Sequence, residues 1–232
     1  MLPRVFPLIC ISLIAAVDTG AQTNAWRQCM ADNSPAAIEA CTEIIILNSR
    51  NDGAFVNRGI AYRRAGDLEH AIRDYDVAIS LNPRAADAFN NRGNAWRGLA
   101  DMGRALRDYD EAIRLNPHYA HALNNRGIVF LERGDIDRAV ADFGRAIDED
   151  PAYANAFRNR GLARTEQRLF DMAIEDFDKA FALSAATSHG VEYALALYGR
   201  GVTRLREGTP GGAADIQEAT RLFPEVAAAM DE

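Results

Sequence analysis

Four asparagines, Asn57, Asn91, Asn125 and Asn159, stand 34 residues apart in this 232-residue chain, each opening the same tripeptide, Asn-Arg-Gly. A carboxamide carries donors and an acceptor, as a peptide group does, so a row of amides is suited to holding backbone and not to breaking bonds. The same amides could instead bridge neighbouring units of a repeated structure. Groups for catalysis or metal binding are sparse. His118 and His121 are three apart, but Pro117 and an expected helix boundary intervene and no carboxylate or cysteine completes a ligand set. Gly208 to Gly212 holds three glycines around Thr209 and Pro210; with no strand before it and no lysine and serine or threonine after, it reads as an inter-helix turn and not a phosphate loop. Neither His-Glu-x-x-His nor Gly-x-Ser-x-Gly occurs, so no catalytic residue, metal or cofactor is expected.

The elements that must position the asparagines follow from the same period. Phe55, Gly59 and Tyr62 fall at i, i+4 and i+7, one face of a helix, and Ala71, Tyr75 and Ala78 form a second such face after a Gly66-Asp67 break. Pro83, Pro117 and Pro151 end each second helix, and Ala71, Ala105, Ala139 and Ala173 keep a third register in step. The spacing predicts antiparallel helix pairs of about 14 residues per helix and no strand. Relative to Phe55 as the buried direction, Gly59 lies at about 40° and Asn57 at about 200°, so the asparagines fall on the open side of each first helix.

An aromatic, then glycine, tyrosine, alanine, aromatic, alanine and proline in this order resembles the tetratricopeptide repeat family. That resemblance implies an all-α fold, a right-handed α-solenoid of antiparallel helix pairs, running through essentially the whole mature chain. Units are expected at about 22–51, 52–85, 86–119, 120–153, 154–191 and 192–225, followed by a short C-terminal cap. The first unit is shortened: Ala37, Ile38, Cys41 and Ile45 align with Ala71, Ile72, Tyr75 and Ile79, and Ser34 and Pro35 supply a cap and first-turn proline. The last is divergent, because Arg160-Gly161 and Arg200-Gly201 are 40 apart, leaving six extra residues near Ser184 to Gly190.

The resemblance also implies function. Members of the family hold an extended peptide by its backbone through such amides, so Asn57, Asn91, Asn125 and Asn159, with Asn90, Asn94, Asn124 and Arg158 (and Asn155 and His121) beside them, are the expected peptide-binding groove. Members that bind chaperone tails clamp a terminal carboxylate with lysines; Val56, Ile60, Asn124 and Ile128 stand at those places here, which argues against that clamp. Arg58, Arg92, Arg126 and Arg160 point about 60° from the buried direction, and Asp74, Asp108, Asp142 and Asp176 recur on the second helices, so structural ion pairs are expected. A protein or peptide is therefore the expected partner. The alternative is an assembly subunit of an envelope complex, using its convex face or its ends.

Charge and compartment narrow this further. With 26 basic residues dispersed among 33 acidic ones and a net charge of −7, nucleic acid is not an expected partner. Lys179 is the single lysine. Met1 to Arg4 followed by the apolar run Val5 to Val17 and small residues to Ala21 has the layout of a signal peptide, residues 1–21. Cleavage after Ala21 would give a periplasmic or secreted protein without a membrane span; an uncleaved segment would anchor it in the inner membrane. Cys10 leaves with the signal, and Cys29 and Cys41 remain, as a disulfide of an exported protein or as two small buried hydrophobes.

Overall fold

The computed structural model describes residues 19–30, 35–186 and 190–227. Among them the regular structure is all helix: α1 Thr19–Met30, α2 Pro35–Leu47, α3 Asp52–Arg64, α4 Leu68–Leu81, α5 Ala86–Gly98, α6 Met102–Leu115, α7 Ala120–Glu132, α8 Ile136–Glu149, α9 Ala154–Glu166, α10 Phe170–Ala186, α11 Gly190–Glu207 and α12 Gly212–Leu222. Consecutive helices pack as antiparallel pairs, giving an all-α solenoid.

Short turns close the pairs. Gly66 and Gly134 take positive φ, 82° and 74°, and the next residue, Asp67 or Asp135, caps the following helix by accepting the backbone N–H of His70 or Arg138. Asp101 does the same for Arg104 at 2.8 Å, although the preceding turn residue is Ala100, held at φ 59°. In the fourth such turn Arg168 sits at φ 62° and Leu169 stands where the capping aspartate would be. At the other end of the pairs, Asn82, Asn116 and Asp150 adopt extended backbone before proline, and each second helix stops there.

Within a pair, Tyr75, Tyr109, Phe143 and Phe177 are wholly buried. Each ring lies against a glycine of the facing helix; a Cβ on Gly127 would sit 2.7 Å from Cε1 of Phe143, inside any tolerable contact. The glycine of Asn-Arg-Gly is thus required for close helix approach. In the first pair Cys41 takes the aromatic's position, is fully buried, and is joined to Cys29 across α1 and α2 with Cα atoms 4.8 Å apart. The covalent bond stands in for the ring-on-glycine contact.

The odd-numbered helices α3, α5, α7, α9 and α11 touch one another in succession, whereas the even-numbered ones meet only their neighbours in sequence. A stack whose first helices converge and whose second helices splay curves toward the first, so the odd helices line the concave wall.

Both ends depart from the regular unit. α10 and α11 run 17 and 18 residues against 14 and 13 in the interior units, so Ser184 to Ala186 extend α10 and Gly190 opens a longer α11, while residues 187–189 lie outside the described residues. With alanine at 185 where proline would recur, nothing halts α10 there. α11 begins at Gly190, just before the expected start near Glu192. Val226 is fully buried with Ala194, Leu195 and Ala219, closing that end. The expected cut after Ala21 falls in the first turn of α1, while Val5 to Val17 and Ser34 lie outside the described residues. No helix among the described residues is long and apolar enough to cross a membrane.

Candidate binding groove

Each residue of Asn-Arg-Gly has a separate task. Gly admits the aromatic of the second helix. Arg reaches the aspartate of that helix through paired bonds: Arg126 Nε and Nη2 donate to Asp142 at 2.7 Å each, and Arg58–Asp74, Arg92–Asp108 and Arg160–Asp176 repeat the arrangement. The expected ion pairs are present, and they also cross between units. Arg92 Nη1 donates to Asp76, and Arg126 Nη1 to Asp110, on the preceding second helix. The register then reads Thr42, Asp76, Asp110, Gly144 and Asp178; Arg58 uses Thr42, Arg160 meets Gly144 and finds no acceptor there, and Arg200 uses Asp178. The paired aspartates hold Arg92 and Arg126 above the usual guanidinium range.

The asparagines form a row along the concave wall and join adjacent units. Asn125 Nδ2 donates to Asn90 Oδ1 at 2.9 Å, and Asn159 Nδ2 donates to Asn124 Oδ1 at 2.9 Å. The offset is one unit plus one residue. It stops at the N-terminal side, where Val56 stands in place of Asn90, and there Asn91 turns back to the carbonyl of Asp87 at 2.9 Å. Bridging between units is therefore realised for Asn125 and Asn159, and Asn90, Asn124 and Asn159 are buried at 5%, 3% and 5% exposure. Asn57, Asn91 and Asn125 remain half-exposed. The bond to Asn90 engages one amide hydrogen of Asn125 and leaves its oxygen and second hydrogen unengaged within the protein.

Asn94 accepts the hydroxyl of buried Tyr109 at 2.8 Å. This pairing was legible: Asn94 faces a tyrosine, while the equivalent Ile128 and Leu162 face Phe143 and Phe177, which have no hydroxyl. Tyr75, opposite Ile60, buries its hydroxyl beside Arg63, and burial pushes its pKa up to about 12.

His121 stacks on Tyr153 with ring centroids 4.7 Å apart, and His118 Nδ1 lies 2.8 Å from Glu149. The two histidines thus turn to different neighbours. No group of three or more His, Cys, Asp or Glu among the described residues is placed to hold a metal. Gly208 and Gly211, at φ 85° and 92°, make the turn between α11 and α12.

Sequence reasoning missed a hollow of about 350 Å³ near the C-terminal end of the wall, bordered by Leu131, Leu162, Tyr198, Gly199 and Val202 together with Thr165 and Thr203. The two threonines hydrogen-bond to each other at 2.9 Å, and Glu166 and Arg206 pair at its rim at 2.8 Å. It lies where the unit length changes after α9, a register that a fixed 34-residue alignment hides.

Comparison with known proteins agrees with this geometry. Family models described as "TPR repeat" and "Tetratricopeptide repeat" match residues 47–96 and residues 97–139 and 125–184. No curated protein matches the sequence. Among solved structures, the chain is similar to PilF of Pseudomonas aeruginosa (TM-score 0.65, 20% identity, covering 77% of this chain and 78% of that one). It is also similar to YrrB, a TPR protein with an unusual peptide-binding site (0.60, 21%, 84% and 100%), and to MamA (0.57, 25%, 66% and 90%). With the helix pairs, the ring-on-glycine contacts and these matches together, the chain belongs to the tetratricopeptide repeat family.

Proposed function

We propose that this protein is a non-catalytic interaction module that holds an extended segment of a partner protein along its concave wall. The observation that carries this reading is the row of half-exposed amides, Asn57, Asn91 and Asn125, on successive first helices, with hydrogen-bonding capacity beyond their mutual contacts. Family membership supports a protein partner; nucleic acid, metal and cofactor have no place in it. The disulfide between Cys29 and Cys41 suits an oxidising compartment, so we place the mature protein in the periplasm or outside the cell, with residues 1–21 as its signal. N-terminal sequencing of exported material tests this: a start near Gln22 supports it, and membrane-fixed protein starting at Met1 favours the anchored form.

The groove is tested with linear peptides selected from a phage-displayed library against the folded protein. Replacing Asn91 and Asn125 together by alanine weakens the selected peptides by about 1 to 3 kcal/mol, with helicity retained. Unchanged affinity would move binding off the concave wall. One observation favours that second reading, an assembly subunit docking through its ends: Met30, Ile46 and Leu47 are 70%, 76% and 69% exposed at the N-terminal end.

A further inference from the structure

Arg158 occupies, in α9, the place held by Asn90 in α5 and Asn124 in α7. Those two asparagines are each engaged by an asparagine from the next first helix. The residue that follows in this series is Gly199, 40 positions after Asn159, and it has no side chain. The row therefore ends in a guanidinium that no side chain from position 199 can meet.

That guanidinium is poorly satisfied. It has five N–H donors, yet its side-chain hydrogen bond is a single long one, Nη2 to Asn159 Oδ1 at 3.3 Å, and Nε is buried without a partner. Arg58, Arg92, Arg126, Arg160 and Arg200, by contrast, each grip an aspartate with two nitrogens. Burial lowers the pKa of Arg158, opposed through space by Glu192, which forms no ion pair with it, and by Tyr153. A mostly enclosed cation with only one long bond to a neutral amide destabilises the free protein, and an incoming carboxylate would remove that penalty.

The surroundings fit such an arrival. Leu162 is one turn along α9 from Arg158, and Tyr198 and Gly199 are the α11 counterparts of Arg158 and Asn159; Leu162, Tyr198 and Gly199 all border the hollow. The charges at the rim, Glu166 and Arg206, already neutralise each other. Space for an apolar side chain thus begins one helical turn from a poorly satisfied guanidinium.

We propose that Arg158 receives a carboxylate of the bound segment, while a neighbouring apolar side chain of the same segment fills the hollow between α9 and α11. The proposal rests on the groove reading and gives it a chemistry: an acidic group beside a leucine-sized residue. The carboxylate can belong to an aspartate or glutamate side chain or to a C-terminus.

Capped ten-residue peptides in which one position is Asp, Glu, Asn or Gln and its neighbour is Leu or Ser, together with free-carboxylate versions, are titrated against the protein by fluorescence anisotropy. Acid-plus-leucine peptides bind at least tenfold tighter than their amide counterparts, Arg158→Gln abolishes that preference, and added salt reduces it. Uncapped peptides lacking the internal acid then show which source of carboxylate is used. Arg158→Met raises the melting temperature of the free protein while losing the same preference, which separates a binding role from a structural one. Peptides that bind in the groove with equal affinity for acid and amide overturn the assignment of Arg158 alone. Absence of binding by every peptide, including those selected from the library, overturns the groove reading and this assignment with it.

Discussion

Removing Asp142 tests what the arginine-aspartate lattice contributes. Arg126 reaches two aspartates, and their exposures differ: the side chain of Asp142 is 6% exposed, that of Asp110 is 59%. Both contacts are 2.7 Å, so distance does not rank them. Solvent does. A surface ion pair is worth roughly 0.5 kcal/mol, while breaking a buried one costs about 3 to 5 because the surviving charge stays enclosed. Arg126 is itself 18% exposed and keeps Asp110, so Asp142→Ala should cost about 2 to 4 kcal/mol and Asp110→Ala about 0.5. Asp110→Ala leaves Arg126 much as Arg160 already is, with glycine opposite its Nη1. The assay is urea unfolding followed by circular dichroism at 222 nm, interpreted with a nearest-neighbour treatment because repeat arrays need not unfold in one step. Arg126→Ala with Asp142→Ala should cost less than the sum of the single changes. Equal costs for Asp110→Ala and Asp142→Ala, or strict additivity in the double variant, would refute the claim that burial and not count sets the value of these pairs.

Gly127→Ala drives a methyl group into Phe143 and should destabilise the protein by about 1 to 3 kcal/mol, measured by the same unfolding experiment; a neutral result would mean that the ring can move aside. Ala100→Gly relieves a positive φ and should stabilise by about 0.5 to 1 kcal/mol, visible as a higher melting temperature, and a lower one would show that the turn is not strained. Reducing the Cys29–Cys41 bond, which closes a loop with a sequence separation of 12, should remove roughly 3 kcal/mol in the chain-entropy model and be read as earlier melting of the first pair in thiol reductant.

The repeat by itself dictates much of the architecture. Gly59, Gly93, Gly127 and Gly161, the buried aromatics and the prolines are local requirements of turning and packing, so helix pairs, their order and the Arg-to-Asp pairing are written in a constant spacing. That Cys41 is buried against the facing helix was legible too, because it stands in the aromatic register; of the two readings left open for it and Cys29, the structure has the disulfide. The asparagines show the limit. Their angle on an isolated helix placed them on the open side, but whether an amide meets solvent or an amide of the next unit depends on how two first helices are offset. That offset joins Asn125 to Asn90 and Asn159 to Asn124, while Val56 leaves Asn91 to its own helix. The hollow and the unsatisfied Arg158 belong to the same class, since both arise where the longer α10 and α11 shift the register and bring Gly199 opposite. The sequence by itself determined each helix pair, because those contacts lie within one period of the chain. Tertiary structure alone decided which polar groups stay open, because that rests on the rotation and offset between units, set by packing that no single repeat contains.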